Sequence, residues 1–112
     1  MNFQYGEDKI WLENEEGKQI ALIEFPKVKE GLVNITHTEV DQSLQGQGIA
    51  GKLTQALAIY LREKGLKTNI SCSYALKWFL THEEYQDVLN DLESIKKQAE
   101  RIQGPACGIR TH

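Results

Sequence analysis

One junction constrains the fold of this chain more than any other. In "LVNITHTEVDQSLQGQGIAGKLTQALAIYLREKG", residues 32–65, a run rich in β-branched side chains gives way, through a cluster of glycines, to an apolar stripe at helical spacing. Ile49, Leu53, Ala56, Leu57, Tyr60 and Leu61 recur every three or four residues, which predicts an amphipathic helix ended by Gly65. A strand must therefore enter a glycine loop and leave it as a long helix.

The flanking segments supply the rest of an α+β domain. "KIWLENEEGKQIALIEF" places two apolar runs around Gly17, a hairpin of residues 8–14 with 18–25 that Pro26 stops. "PKVKEG" reads as a turn, and "LVNITHTEV" as one further strand over 32–40, antiparallel to its neighbour because the turn is short. "LKTNISC" predicts a fourth strand and "SYALKWFLT" a short helix with Ser73 as its cap. Thr81 and Glu84 match a capping box opening a last helix, whose apolar positions Tyr85, Val88, Leu92, Ile95, Ala99 and Ile102 alternate by three and four. Such a seam packs on its own sheet or, as in a coiled coil, on a second copy of the chain. Its shortness favours the sheet. "QGPACGIRTH", residues 103–112, has no periodicity and reads as a loose tail.

The glycine cluster satisfies three phosphate-binding patterns. Gly46, Gly48 and Gly51 spell G-x-G-x-x-G, but "DQSLQ" separates them from the strand, and "KTNISC" lacks the acidic residue expected about 20 residues on. Gly46 to Lys52 nearly completes a Walker A loop, but Leu53 stands where a magnesium-ligating hydroxyl belongs, and Thr54 lies ~100° around the helix. Gln45-x-x-Gly48-x-Ala50 is left. A helix amino terminus behind bare glycines presents unpaired N–H groups and partial positive charge to an anion.

In this context the third pattern resembles the acetyl-CoA diphosphate loop of the GNAT acyltransferase superfamily. The segments "ITHTEV", "LQGQGIAGKL", "CSYALKWF" and "YQDVL", within residues 32–89, resemble a small single-domain branch of it. The resemblance implies a mostly antiparallel GNAT-like sheet of about four strands, flanked by the long helix and by carboxy-terminal helices. It implies a domain over 1–89, with a helical extension over 90–102 that departs from the branch. The helix pair and terminal strands of full-size members, which shape the acceptor site, are missing. Acetyl-CoA is the implied co-substrate, moving its acetyl group to an amine or lysine acceptor that no motif identifies. The resemblance puts the coenzyme along Val40, Leu44, Gln45, Gly46, Gln47, Gly48, Ile49, Ala50, Gly51, Lys52 and Tyr74. Lys52 either adds charge there or is a solvated lysine. A binding module that retains the coenzyme without turnover is the rival reading.

Acyl transfer to an amine needs a neutral nucleophile, a donor to the oxyanion and a proton for the leaving thiolate. Alternation along 32–40 puts Val33, Ile35, His37 and Glu39 on one face, apolar first and then ionisable. His37 with Glu39 is a base pair for an ammonium substrate, or a half-buried imidazole beside a surface carboxylate. Cys72 falls where the fourth strand meets the next helix, a position that favours thiolate, or it is a small core residue. The resembling branch implies a catalytic cysteine there. Tyr74 protonates the departing thiolate or is an aromatic core position, and Trp78 and Phe79 read as core. Direct attack by the amine is the expected route, as in most of the superfamily; acetylation of Cys72 is the alternative.

Composition narrows the partners. A net charge of −3 provides no basic field for nucleic acid, and 40% hydrophobic with 26% charged residues is ordinary for one globular domain. The polar, acidic start "MNFQYGEDKI" predicts neither signal peptide nor membrane span, hence a cytoplasmic address. Cys72 and Cys107 are too few and too far apart for a disulfide framework. His37, His82 and His112 have no metal-ligand spacing with them, so no metal is expected.

Overall fold

The computed structural model describes residues 2–101 of the 112 in the chain; the expected tail, Ile102, Cys107 and His112 lie outside them. Strands β1 (Gln4–Tyr5), β2 (Lys9–Glu13), β3 (Gln19–Glu24), β4 (Lys27–Lys29), β5 (Leu32–Ile35), β6 (His37–Val40) and β7 (Lys67–Ile70) are joined by helices α1 (Ile49–Lys64), α2 (Ser73–Leu80) and α3 (Leu92–Arg101). Short 3-10 turns occupy Gln42–Leu44 and Glu83–Val88. The fold is α+β, with a mostly antiparallel strand arrangement. One sheet has the order β1-β2-β3-β6, the other β4-β5-β7.

The hairpin around Gly17 forms as its apolar runs require, with Ile10 opposite Ile23 and Leu12 opposite Ala21. The expected strand over 32–40 does not stay whole. β5 pairs with β7, in parallel, whereas β6 pairs with β3. The hydrogen bonds explain the division. The carbonyl of Ile35 accepts from Ser71 N (2.8 Å) and Cys72 N (3.1 Å), and the next amide, Thr36 N, donates to Glu24 O (3.0 Å). The chain passes from one sheet to the other between these two residues. "PKVKEG" is more than a turn, because Lys27 pairs with Val33 and Lys29 with Leu32.

Helix α1 forms because its stripe meets the first sheet. Leu53, Leu57, Ala58 and Leu61 are fully buried in one cluster with Ile10, Ile23, Phe25 and Ile35. Burial of a leucine contributes about 1.5–3 kcal/mol, enough for the three leucines to dominate any propensity term. At the far end Gly65 turns left-handed (φ +70°), and Leu66 N donates back to Leu61 O (2.9 Å).

The last expected helix is broken. Thr81 opens nothing: it ends α2, and its Oγ1 donates to Trp78 O (3.0 Å) and Lys77 O (3.2 Å). Leu89 then bridges to Thr68, and Asn90 N donates to Thr68 O (2.9 Å), so the small sheet captures the chain before helix resumes. The seam still points inward at Val88 and Ile95, both buried. It packs on its own domain. Arg62 fastens the 3-10 turn to α1, through Asp87 Oδ1 and Oδ2 (2.6 and 2.9 Å) and Glu84 O (2.7 Å).

Candidate active site

Where β5 hands over to β6, the strands part. β6 leaves with β3 and β7 runs on into α2, and across the gap Thr38 Oγ1 lies 3.5 Å from Cys72 Sγ. Cys72 itself, partly buried, is the residue before α2 with extended backbone (φ −85°, ψ 121°), the capping position expected of Ser73. Alternation along 32–40 conceals Thr38, because the chain changes sheets between Ile35 and Thr36. The pairing of Thr38 with buried Ile23 and of Val40 with buried Ala21 sets both on the core side. His37 and Glu39 consequently do not continue the face of Val33 and Ile35. They form a pair, His37 Nε2 to Glu39 Oε1 at 3.0 Å, exposed on the opposite side of β6 from Thr38.

The loop leading into α1 stands at the head of this gap. Asp41 Oδ1 accepts from Ser43 N (3.2 Å), and Leu44 N and Gln45 N donate to Asp41 O and Gln42 O (2.9 and 3.3 Å). Lys52 N donates to Gly48 O (3.1 Å). The amides of Leu44, Gln45 and Lys52, three of the expected coenzyme-binding residues, are thus engaged within the protein. Among the described residues, the amides of Gly46, Gln47, Gly48, Ile49, Ala50 and Gly51 meet no protein acceptor. Gly46 (φ +89°) and Gly48 (φ +74°) have left-handed backbone, with nothing within 4 Å of where a Cβ would project. Thr54 speaks against the Walker A alternative: it is fully buried in the core, with its hydroxyl donating to Ala50 O (2.8 Å), and so does not face a ligand on the loop.

Helix α2 closes the other wall. A Cβ on Gly51 would lie 3.4 Å from Tyr74 Oη and 3.5 Å from Trp78 Nε1, so the absent side chain lets two polar atoms approach the first turn of α1. Burial holds the Tyr74 phenol above its ordinary value near 10, and Cys72 beside it adds to the rise. Tyr74 therefore carries its proton at neutral pH. Gln45 is exposed on the loop and Lys52 in the first turn of α1; Val40 and Leu44 are half-buried and pack against the core. His82 is structural, stacked on Trp78 at 3.9 Å with its Nδ1 donating to Trp78 O (2.7 Å).

A family model described as GCN5-related N-acetyl-transferase matches residues 9–88. The chain belongs to the GCN5-related N-acetyltransferase family. A GCN5-like protein from Staphylococcus aureus, solved by NMR, is 35% identical with a TM-score of 0.66, over 79% of this chain and 86% of that one. A GNAT-family protein from Escherichia coli, crystallised with CoA, is 24% identical with a TM-score of 0.53, over 62% of this chain and 42% of that one; at that identity it shows the shared fold alone. Human Protein NATD1 is 33% identical over 58 residues, 52% of this chain and 51% of that protein. The chain thus spans about half the length of the curated relatives it matches. Among the described residues no helix is long and apolar enough to cross a membrane, and no three metal-binding side chains cluster.

Proposed function

We propose that this member of the family is an acetyl-CoA-dependent N-acetyltransferase that transfers its acetyl group directly to an amine. The observation that carries the reading is the set of six unengaged amides, Gly46 to Gly51, at the head of a 16-residue helix and beside the parted strands. The open space at Gly46 and Gly48 is what a diphosphate needs, since any Cβ there would stand between amide and anion. The CoA held by the E. coli protein of the same fold supports the choice of ligand. Bound acetyl-CoA supplies an activated thioester carbonyl.

The chain's own residues supply the rest of the reaction. With the diphosphate on the loop, the gap between β6 and α2 leads the thioester toward Thr38 and Cys72. The amine approaches from the side away from α1, where His37, oriented by Glu39, accepts its proton. The nitrogen lone pair forms the C–N bond, the C–S bond breaks onto sulfur, and Tyr74, whose phenol carries its proton at neutral pH, provides the proton for the thiolate. In this route Cys72 packs and does not react. Coenzyme retention without turnover is the alternative.

A melting curve with acetyl-CoA tests the binding. At ~100 times the dissociation constant, linkage gives ~2.7 kcal/mol. With an unfolding entropy near ~0.24 kcal/mol/K for 112 residues, that is a rise of about 11 °C. Intact mass after mixing with acetyl-CoA then tests the route. Direct transfer predicts no adduct, and a Cys72→Ala enzyme that still acetylates amines; a Cys72-dependent acetyl adduct overturns it.

A further inference from the structure

The side of the small sheet turned away from α1 holds a cavity of about 350 Å³ that the scheme above does not use. Val33 and Ile35, with their β7 partners Thr68 and Ile70, are buried toward the core, so the intervening partners Asn34 and Asn69 project the other way. Helix α3, which begins beyond residue 88 where the family match ends, forms the opposite wall. It is anchored by buried Ile95 and by Gln98 Nε2 donating to Ile70 O (2.7 Å). Ser71, Asp91 and Ser94 line the cavity with Asn34, Asn69 and Gln98, and Ile70 and Ile95 complete the lining.

Hydrogen bonds hold several of these polar groups in orientation, and Asn69, Asp91 and Gln98 each keep a free atom. Asn69 Oδ1 accepts from Asn90 Nδ2 (3.1 Å), leaving its Nδ2. Asp91 Oδ1 accepts from Ser94 N (3.1 Å), leaving its Oδ2. Gln98 is held through Nε2, leaving Oε1, whereas Asn34 and Ser71 engage each other, Asn34 Nδ2 donating to Ser71 Oγ (3.0 Å) and Ser71 Oγ donating to Asn34 Oδ1 (3.4 Å). The lining carries one carboxylate and no lysine or arginine. Ser71 directly precedes Cys72, and both amides end on the Ile35 carbonyl, so one end of the cavity abuts the parting of the strands. His37 and Glu39 project on the same side, away from α1.

We propose that this cavity is the acceptor pocket and takes a small, hydroxylated, non-anionic primary amine of the amino sugar class. The proposal rests on the transferase reading above. Donors and acceptors at fixed positions suit a polyol, and Asp91 opposes amines that carry a carboxylate. A lysine within a protein would leave most of these groups unsatisfied.

Thiol release from acetyl-CoA is measured with glucosamine, glutamate and a lysine-bearing peptide as probes. Glucosamine is expected to be acetylated with the highest kcat/KM. Asp91→Asn and Gln98→Met are each expected to raise its KM by about tenfold or more, with kcat little changed and the acetyl-CoA melting shift retained. In parallel, NMR follows the side-chain amide signals of Asn69 and Gln98 during a glucosamine titration without coenzyme. A wild-type protein with no acetyl-CoA melting shift places the failure in the transferase reading, and the titration still decides the pocket. Silent carboxamide signals, an unchanged KM in both variants, or a preference for glutamate or the peptide overturns the proposal.

Discussion

Gly48 is where backbone conformation and proposed function coincide, and its replacement separates the two. It precedes α1 with φ +74° and has open space around the position of a Cβ. Gly48→Ala therefore creates no clash, and its cost is the left-handed backbone alone, about 1–2 kcal/mol for an L-residue. With the unfolding entropy near ~0.24 kcal/mol/K, the melting temperature falls by about 4–8 °C. The new methyl also stands among the amides that face the diphosphate. If it weakens acetyl-CoA tenfold, ligand at ~100 times the wild-type dissociation constant stabilises the variant by only ~1.4 kcal/mol, a shift of about 6 °C in place of about 11 °C. Gly17→Ala is the control, because Gly17 has φ +83° and equally open surroundings in a hairpin turn outside the loop. Differential scanning fluorimetry of the three proteins with and without acetyl-CoA reads both effects. Equal loss of the ligand shift in both variants, or a Gly48→Ala protein with the full wild-type shift, would refute the reasoning.

Three further outcomes follow from the structure. Tyr74→Phe removes the proton donor and lowers kcat by about 10²–10⁴-fold with the acetyl-CoA melting shift retained; because the folded state holds this proton more tightly, stability that Tyr74 contributes below pH 10 is lost as pH rises through its raised value, and the variant's alkaline melting limb is flatter. Asp87 is held below its ordinary value of 3.8, first by its hydrogen bond to Arg62, so the pair's contribution is present above that pH and is lost as pH falls through the lowered value; Asp87→Asn melts lower near neutrality, and its difference from wild type shrinks in acid. Leu57→Ala, at a fully buried site on α1, destabilises by roughly 2–5 kcal/mol and lowers the melting temperature by about 8–20 °C.

The parts of this fold that were legible in sequence are those where local periodicity and the final neighbours agree. The hairpin at Gly17, α1 between Gly48 and Gly65, β7 and α2 are all of this kind. Residues 32–40 were not, because β-branched alternation reports extended backbone and not which strand takes its hydrogen bonds. The change of sheet between Ile35 and Thr36 reverses the side of everything after it, which conceals Thr38 and turns His37 and Glu39 outward. Thr81-x-x-Glu84 matched a capping box by letter, yet its hydroxyl turns back to the preceding helix. The heptad spacing through Leu92 survived as burial but not as one helix, since pairing of Leu89 with Thr68 overrode it. Asp91 carried the missed signal, an acidic cap three residues before Ser94. The glycines and the start of α1 are legible in sequence, whereas the 3-10 turn after Asp41, which engages the amides of Leu44 and Gln45, is not.

The central claim is that backbone amides of the loop hold the coenzyme's diphosphate, and an amide-resolved NMR titration with CoA tests it most directly. The signals of Gly46 through Gly51 should move together and saturate, those of Leu44 and Gln45, already bonded within the loop, should move less, and pantetheine, which lacks the diphosphate, should leave all of them nearly still. Saturating shifts confined to some other surface, or equal shifts with pantetheine, would contradict the account.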